Sequence, residues 1–306
     1  MKHLAPVVVF AYKRPDHLRQ TILSLMACDG FDESPIIIYF DGPKNDKEKE
    51  ATNLTREVAK DLIGNIAEFH FQNRNIGLAK SVIRGVTDVT NRFGRAIIIE
   101  DDLILAPGFL RFMNDALDRY ADVPRIFQIS GFMFDIPEWK HRKTALFLPF
   151  TVSWGWATWK RAWDAFDPDA TGWEILRHDR ALRRRFNLDG NYNYAAMLED
   201  QMAGRIDSWA IRWYWSVFKA NGLVLFPPVS LVRNIGMDGS GTHGHGWLWR
   251  TRSLMAANFS ADCLYFLPHD VRIDPVDVRI VHRNLRHQSG GWISFMRTKF
   301  LDLLRL

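Results

Sequence analysis

The chain has 306 residues, of which 47% are apolar and 25% are charged, and its net charge at pH 7 is +5. This composition is typical of a globular protein with one large domain or two small ones, and it excludes intrinsic disorder, collagen-like repeats and low-complexity architectures. The excess of basic residues is too small to indicate nucleic-acid binding.

The sequence also limits the cellular context that we expect. The two cysteines, Cys28 and Cys263, cannot form a disulfide framework, which favours a reducing compartment. No apolar run approaches the ~20 residues of a membrane span, and no secretory signal is visible at the amino terminus. We therefore predict a cytoplasmic protein.

The first 130 residues alternate between two kinds of element. Five apolar runs predict buried strands, at residues 6–11, 36–40, 69–71, 95–99 and 126–129. The segments between them predict helices at residues 18–27, 45–60, 77–93 and 107–120. Strands separated by helices of this length build βαβ units, so we predict an α/β fold with a mostly parallel twisted sheet and helices on both faces.

Polar residues follow three of the predicted strands, namely Tyr12-Lys13-Arg14, Asp41 and Glu100-Asp101-Asp102. In an open parallel sheet the ligand lies beyond the carboxyl ends of the strands. We therefore expect these residues to form the functional site.

The acidic triplet is the most informative of these strand ends. Side chains alternate along a strand, so Glu100 and Asp102 should share one side while Asp101 faces the other. A hard cation such as Mn²⁺ or Mg²⁺ takes oxygen ligands and often retains phosphates in its shell, which suits one or two of these carboxylates. The alternative is a capping cluster for the loop before Pro107.

Four segments together carry a resemblance to a known family: Phe10-Ala11-Tyr12-Lys13-Arg14-Pro15, Phe40-Asp41-Gly42, Asn73-Arg74-Asn75-Ile76-Gly77-Leu78-Ala79 and Glu100-Asp101-Asp102-Leu103. In this order they resemble the nucleotide-sugar glycosyltransferases of the A-type (GT-A, Rossmann-like) fold. The likeness is greatest to the inverting family two and to the N-acetylglucosaminyltransferase I type. It implies a nucleotide diphosphosugar donor and Mn²⁺ or Mg²⁺ as cofactor.

The resemblance also implies a role for each matching residue. Arg14 would contact the nucleotide, and Asp41 the uracil edge or the ribose. Asp102 would ligate the metal, Asp101 would meet the ribose or a metal-bound water, and Glu100 would contact the donor sugar. A surface arginine and a turn aspartate are the alternatives for the first two.

The second half is rich in aromatic residues, because all 12 tryptophans lie at or after Trp139. The run from Trp154 to Trp159 predicts an aromatic surface for sugar rings, with Trp156 at the donor and Gly155 allowing close approach of the backbone. A tryptophan-rich core is the alternative.

An inverting transfer needs a general base, preferably a carboxylate. The segment Ile206-Asp207-Ser208-Trp209, with the Gly and Pro residues that follow it, resembles a family-two pattern in which an acidic residue begins a helix. We therefore predict Asp207 as the base, with Glu199 and Asp200 as competitors and a helix N-cap as the alternative role.

Two further segments have several interpretations. The loop 238–244 contains a Gly-x-Gly-x-x-Gly pattern that opens no helix after an early strand, so a dinucleotide site is excluded. A lid that orders over the donor diphosphate, or a plain surface loop, fits better; the resemblance implies that His243 would join the metal or diphosphate. Residues 292–306 form a basic amphipathic pattern that would contact a membrane peripherally, dock on the core, or dock on another subunit.

The sequence thus predicts a nucleotide-sugar-binding half at 1–135, an acceptor-binding half at 136–290 and a carboxyl-terminal helix at 291–306. The expected activity is inverting, metal-dependent sugar transfer from a UDP-sugar, with UDP-GlcNAc as a candidate, to a saccharide or lipid-linked saccharide in polysaccharide biosynthesis. The alternatives are a nucleotidyltransferase of sugar phosphates and a non-catalytic carbohydrate-binding protein.

Overall fold

The computed structural model describes residues 4–236, residue 238 and residues 264–288. The predicted roles of His243 and of residues 292–306 lie outside the described residues. In the described part, no helix combines the length and the apolar character that crossing a membrane requires.

The first four strands form a continuous parallel block of the main sheet, in the order β3-β2-β1-β4. They are β1 (Val7–Ala11), β2 (Ile36–Phe40), β3 (Ala67–Phe71) and β4 (Arg95–Glu100). Ala11 pairs with Phe40 and Phe10 pairs with Glu100, so the carboxyl ends of these strands meet at one edge. The predicted strands and the α/β class are confirmed.

Four later strands extend the same sheet beyond β4, in the order β8-β6-β9-β7. They are β6 (Ile126–Ser130), β7 (Leu146–Leu148), β8 (Trp156–Trp159) and β9 (Leu223–Phe226). Strand β8 runs antiparallel to both β4 and β6. The sheet is therefore mixed, and strands from the predicted donor and acceptor halves interleave within it.

A separate two-stranded sheet lies next to the acidic triplet. It pairs β5 (Leu103–Leu105) with β10 (Val232–Asn234) in antiparallel register. Leu103 faces Asn234 in this register, so the chain after β10 returns to the carboxyl end of β4.

Helices cover both faces of the main sheet because its strands are apolar on both sides. Val7 and Val9 pack in one cluster with helices α1 (Pro15–Met26), α2 (Lys49–Ile63) and α4 (Phe109–Arg119). Val8 and Phe10 pack in the other with α3 (Leu78–Phe93), α5 (Lys160–Trp163) and α9 (Trp209–Lys219). A third cluster joins the remaining helices, α6 (Ile175–His178), α7 (Arg180–Phe186), α8 (Tyr194–Met202) and α10 (Pro275–Gln288).

The tryptophan run is a strand of the sheet rather than an exposed platform. Trp156 is fully buried and stacks on Trp209 with ring centroids 5.2 Å apart. Of the nine tryptophans that the structure describes, all except Trp154 are buried. A Cβ on Gly155 would lie 2.7 Å from Val232, so the close approach at this glycine is to the protein itself. The expected sugar contact of Trp156 has no accessible surface, and the alternative of a tryptophan-rich core matches the structure.

We predict that Trp156→Ala lowers the free energy of unfolding by about 3–5 kcal/mol, because it removes a fully buried aromatic side chain from a close-packed cluster. Urea-induced unfolding followed by circular dichroism measures this loss. Leu23→Ala is the control, because Leu23 is 49% exposed and its truncation should cost less than about 1 kcal/mol. Equal losses in the two variants would contradict the core placement of Trp156.

Candidate functional site

The polar strand ends that the sequence predicts lie together at the carboxyl edge of the parallel strands. Residues 12–14 follow β1, residues 41–42 follow β2, and residues 100–102 end and follow β4. Because neighbouring strands are ~4.8 Å apart, this edge brings all three segments within about 10 Å.

One guanidinium neutralises two adjacent carboxylates at this edge. Arg14 Nη2 donates to Asp102 Oδ2 at 2.9 Å and also to Asp101 Oδ1, while the Tyr12 backbone N–H donates to Asp101 Oδ2 at 3.0 Å. Both acidic residues are buried, with 3% and 8% of their surface exposed. Although burial lowers the pKa of Arg14, the carboxylates of Asp101 and Asp102 raise it above its usual range.

Burial and crowding of the three carboxyl groups raise the pKa values of Glu100 and Asp101. Burial and then the negative charges of Asp102 and Asp101 raise the pKa of Glu100 above its usual range. Burial likewise raises the pKa of Asp101, against the opposing charge of Arg14. A further positive charge at this edge would therefore stabilise the ionised triplet.

Asp102 fits the role of a metal ligand. Its Oδ2 accepts from Arg14, whereas its Oδ1 is buried and has no hydrogen-bond partner among the described residues. A buried carboxylate oxygen without a partner is costly, and a hard divalent cation would satisfy it. The described residues contain no group of three or more His, Cys, Asp and Glu side chains placed to hold a metal. A cation here would thus take further ligands from a phosphate or water, as Mg²⁺ commonly does.

The segment after β10 closes against the triplet. The Ile235 N–H donates to the Asp102 backbone oxygen at 2.8 Å, and the Gly236 N–H donates to Asn234 Oδ1 at 2.8 Å. A Cβ on Gly236 would lie 2.0 Å from Asp102 Oδ2 and 2.7 Å from Arg14 Nη1. Only glycine fits at this position without displacing the ion pair.

Asp41 lies at the end of β2, where its side chain accepts four hydrogen bonds. Oδ1 accepts from the backbone N–H groups of Gly42 and Ile76 at 2.8 and 2.9 Å. Oδ2 accepts from Asn75 Nδ2 at 2.8 Å and from the Gly77 N–H at 3.0 Å. A carboxylate has about four acceptor positions, so these bonds leave none for a uracil edge or a ribose.

Glu48 anchors the other residues that follow β1. Its carboxylate accepts from Lys13 Nζ at 2.6 Å, from the Lys44 N–H at 2.9 Å and from the Tyr12 hydroxyl. The bond from Lys13 and the bond from Tyr12 lower the pKa of Glu48 to about 2. The Lys13 ammonium is thereby engaged beside the site.

Asp207 comes to the same edge from the second half of the chain. Its Oδ2 lies 3.6 Å from the position that a Cβ on Gly77 would take, and its Oδ1 accepts from Arg212 Nη2 at 3.2 Å. Ser208 follows it as the N-cap of α9, and Gly77 precedes α3. The positive ends of two helices thus lie beside an exposed carboxylate.

The competing acids are engaged elsewhere. Glu199 forms a largely buried ion pair with Arg183 at 2.6 Å, and Asp200 accepts from Arg205 Nε at 2.8 Å.

Three contributions to the site were not predicted. The sequence predicts no role for Glu48, for the return of residues 234–236, or for loop 75–77 as the partner of Asp41. The sequence around Gly236 does not indicate that this residue lies against Asp102, because that contact depends on the order of the strands. The conspicuous Asn-Ile-Gly segment carries part of the resemblance, but its contact is with another loop that is distant in sequence.

No family model and no curated protein sequence matches this chain. Several solved structures are similar to it. One similar structure is that of GalNAc-T7 with UDP, GalNAc and Mn²⁺, at 12% identity and a TM-score of 0.46. The match covers 76% of this chain and 43% of that one, so the chain spans less than half the length of GalNAc-T7.

Two further solved structures are similar to this chain. The mannosyltransferase PcManGT from Pyrobaculum calidifontis, in complex with GDP-Man and Mn²⁺, has 13% identity and a TM-score of 0.38 over 72% of this chain and 74% of that one. Glucosyl-3-phosphoglycerate synthase from Mycobacterium tuberculosis, with Mn²⁺, UDP and phosphoglyceric acid, has 11% identity and a TM-score of 0.34 over 54% and 57%. Likenesses this distant carry no argument about the activity of this chain.

We predict that Arg14→Met lowers the free energy of unfolding by about 3–5 kcal/mol in metal-free buffer, because it leaves two buried carboxylates without their counter-charge. Mn²⁺ should restore part of this stability by supplying positive charge at Asp101 and Asp102. Thermal unfolding with and without Mn²⁺ measures both effects.

Arg95→Met is the matched control, because it breaks the ion pair of Arg95 with Asp118, which involves none of the strand-end carboxylates. Its cost should be about 1 kcal/mol, and Mn²⁺ should not change it. An Arg14→Met protein that Mn²⁺ does not stabilise would contradict the proposed fit of a cation.

Proposed function

We propose that this protein is a metal-dependent glycosyltransferase that uses a nucleotide diphosphosugar as donor. The observation that carries the proposal is the buried Asp102 Oδ1, which has no hydrogen-bond partner among the described residues and lies beside the Arg14 ion pair at the carboxyl edge of the parallel strands. An open α/β sheet binds its ligands at such an edge. The resemblance of the strand-end motifs to nucleotide-sugar transferases supports the same chemistry.

The chain's own residues would bind the donor at this edge. Asp102 would hold Mn²⁺ or Mg²⁺, and a bound cation stabilises the negative charge that develops on a departing diphosphate. Arg14 would contribute a fixed positive charge on the same side. The resemblance assigns Glu100 to the donor sugar and Asp101 to the ribose or a metal-bound water.

Asp207 would act as the general base of an inverting transfer. An acceptor hydroxyl oxygen would form the new bond to the anomeric carbon, while the bond from that carbon to the diphosphate breaks and its electron pair leaves with the nucleoside diphosphate. Asp207 would take the hydroxyl proton. Its exposure, with 61% of the side chain accessible, leaves room for an acceptor to approach.

The finer identity of the substrates rests on the resemblance. UDP-GlcNAc is the first donor to test, and a saccharide or lipid-linked saccharide of polysaccharide biosynthesis is the acceptor class. The saturated hydrogen bonding of Asp41 gives no support to a contact between that residue and uracil. A cytoplasmic location stays a prediction.

The alternatives fit the observations less well. A nucleotidyltransferase would have a glycine-rich loop after β1, whereas this chain has Tyr12-Lys13-Arg14-Pro15. A carbohydrate-binding module would present its tryptophans to solvent, whereas eight of the nine that the structure describes are buried.

We predict that Asp102→Asn abolishes the Mn²⁺-dependent part of the thermal stabilisation by nucleotide sugars, because the amide removes the negative charge that would hold the cation. A thermal-shift screen of UDP-, GDP- and CDP-sugars with and without Mn²⁺ measures this. Asp118→Asn, at the Arg95 ion pair, is the control and should show the same Mn²⁺-dependent thermal shift as the wild type. The same Mn²⁺-dependent shift in Asp102→Asn as in the wild type would refute the metal site.

We predict that Asp207→Asn binds the donor within about twofold of the wild type but transfers sugar about 10²–10⁴-fold more slowly, because the amide cannot accept the hydroxyl proton. Titration with the nucleotide sugar and release of nucleoside diphosphate in the presence of acceptor measure the two properties. Asp200→Asn changes another exposed carboxylate and should retain both. Unimpaired turnover in Asp207→Asn would move the base to Glu199 or Asp200.

A further inference from the structure

The carboxylate of Asp41 is buried and bonds only to groups of the protein. Asp41 is 5% exposed, and each of its four hydrogen bonds comes from within its own turn or from loop 75–77. Three of the four cross from the end of β2 to the residues that precede α3. Asp41 therefore joins two loops that are 34 to 36 residues apart in the chain.

The backbones of these two loops are in direct contact. A Cβ on Gly42 would lie 2.5 Å from the backbone of Arg74, and the Asn75 N–H donates to the Pro43 oxygen at 3.3 Å. Asn75 Nδ2 also donates to the Gly42 oxygen at 3.1 Å. The charge of Asp41 also acts on Arg56: burial lowers the pKa of Arg56, and the negative charge of Asp41 opposes that change.

The far side of loop 75–77 meets Asp207. Gly77 donates its N–H to Asp41 and adopts a φ of +86°, which favours glycine. Asp207 Oδ2 lies 3.6 Å from the position that a Cβ on Gly77 would take. Gly77 is thus held by one carboxylate, and a second carboxylate lies beside the space that a side chain at this position would occupy.

We infer that Asp41 is a positioning residue, which holds loop 75–77 so that Gly77 supports Asp207 at the reacting edge. This inference deepens the proposed function, on which it rests for the role of Asp207. It differs from the role that the resemblance implies, in which Asp41 itself contacts the nucleobase or ribose.

The test is Asp41→Asn, which keeps the shape of the side chain but turns one acceptor oxygen into an N–H donor. At least one backbone N–H of Ile76 or Gly77 then loses its acceptor. We expect hydrogen exchange at these two amides of the ligand-free protein to accelerate about tenfold or more, because exchange reports local opening. The melting temperature should fall by roughly 2–4 °C.

The catalytic readout separates positioning from nucleobase contact. With saturating donor, Asp41→Asn should reduce the rate of transfer about tenfold. Any change in the Kd of UDP should be matched by an equal change in the Kd of GDP. Asp88→Asn is the matched control, because Asp88 accepts a hydrogen bond from the Tyr39 hydroxyl at 2.7 Å, near the opposite end of α3 from the loop. It should leave exchange at residues 76 and 77 unchanged.

Asn75→Ala supplies a second, independent variant. It removes the side-chain bonds from loop 75–77 to Asp41 and to the Gly42 oxygen, so it should accelerate exchange at the same amides by a smaller factor. The double variant with Asp41→Asn should show less than the product of the two single effects, because both remove one shared contact.

Two results would overturn the inference: unchanged amide exchange in ligand-free Asp41→Asn, or a loss of affinity confined to uridine nucleotides. Failure of the proposed function is a separate result. A wild-type protein that binds no nucleotide would remove that function, while the exchange measurements would still determine whether Asp41 holds the loop.

Discussion

The candidate site depends on one ion pair, in which the guanidinium of Arg14 faces the adjacent carboxylates of Asp101 and Asp102. Two buried negative charges at neighbouring positions would repel each other and lose their hydration without this partner. One carboxylate oxygen of Asp102 still lacks a partner among the described residues. The protein thus neutralises its acidic strand end only in part, which is the condition that a cation-binding site requires.

Close approaches at glycine join the segments of the site to this ion pair. Gly42 lies close to the loop that begins at Arg74, Gly77 lies near Asp207, and Gly236 lies close to Asp102. At Gly42 and Gly236 a Cβ would overlap the neighbouring segment, at 2.5 Å from the Arg74 backbone and 2.0 Å from Asp102 Oδ2, whereas at Gly77 a Cβ would lie in ordinary contact range of Asp207. The end of β2 is therefore packed against loop 75–77, and the chain after β10 is packed against the acidic triplet, so a change in either segment alters the position of its neighbour.

The tryptophans show how composition can indicate the wrong environment. A dense aromatic run fits a sugar platform and a packed core equally well, and only the position of β8 between β4 and β6 distinguishes them. Because β8 is a central strand, the ring of Trp156 faces the helices on one side of the sheet. The aromatic cluster stabilises the sheet that carries the site and offers little surface to a ligand.

The sequence alone determined the parallel strands and the polar residues at their carboxyl ends, because buried strands and turns are local patterns of apolar and polar residues. It also identified Arg14, Asp101, Asp102 and Asp207 as candidates. Only the tertiary structure decided that Asp41 accepts three of its four hydrogen bonds from loop 75–77. The same holds for the burial of Trp156 and for the return of residues 234–236 to the triplet. These are contacts between segments far apart in the chain, and they follow from strand order and the packing of loops, which no local pattern encodes.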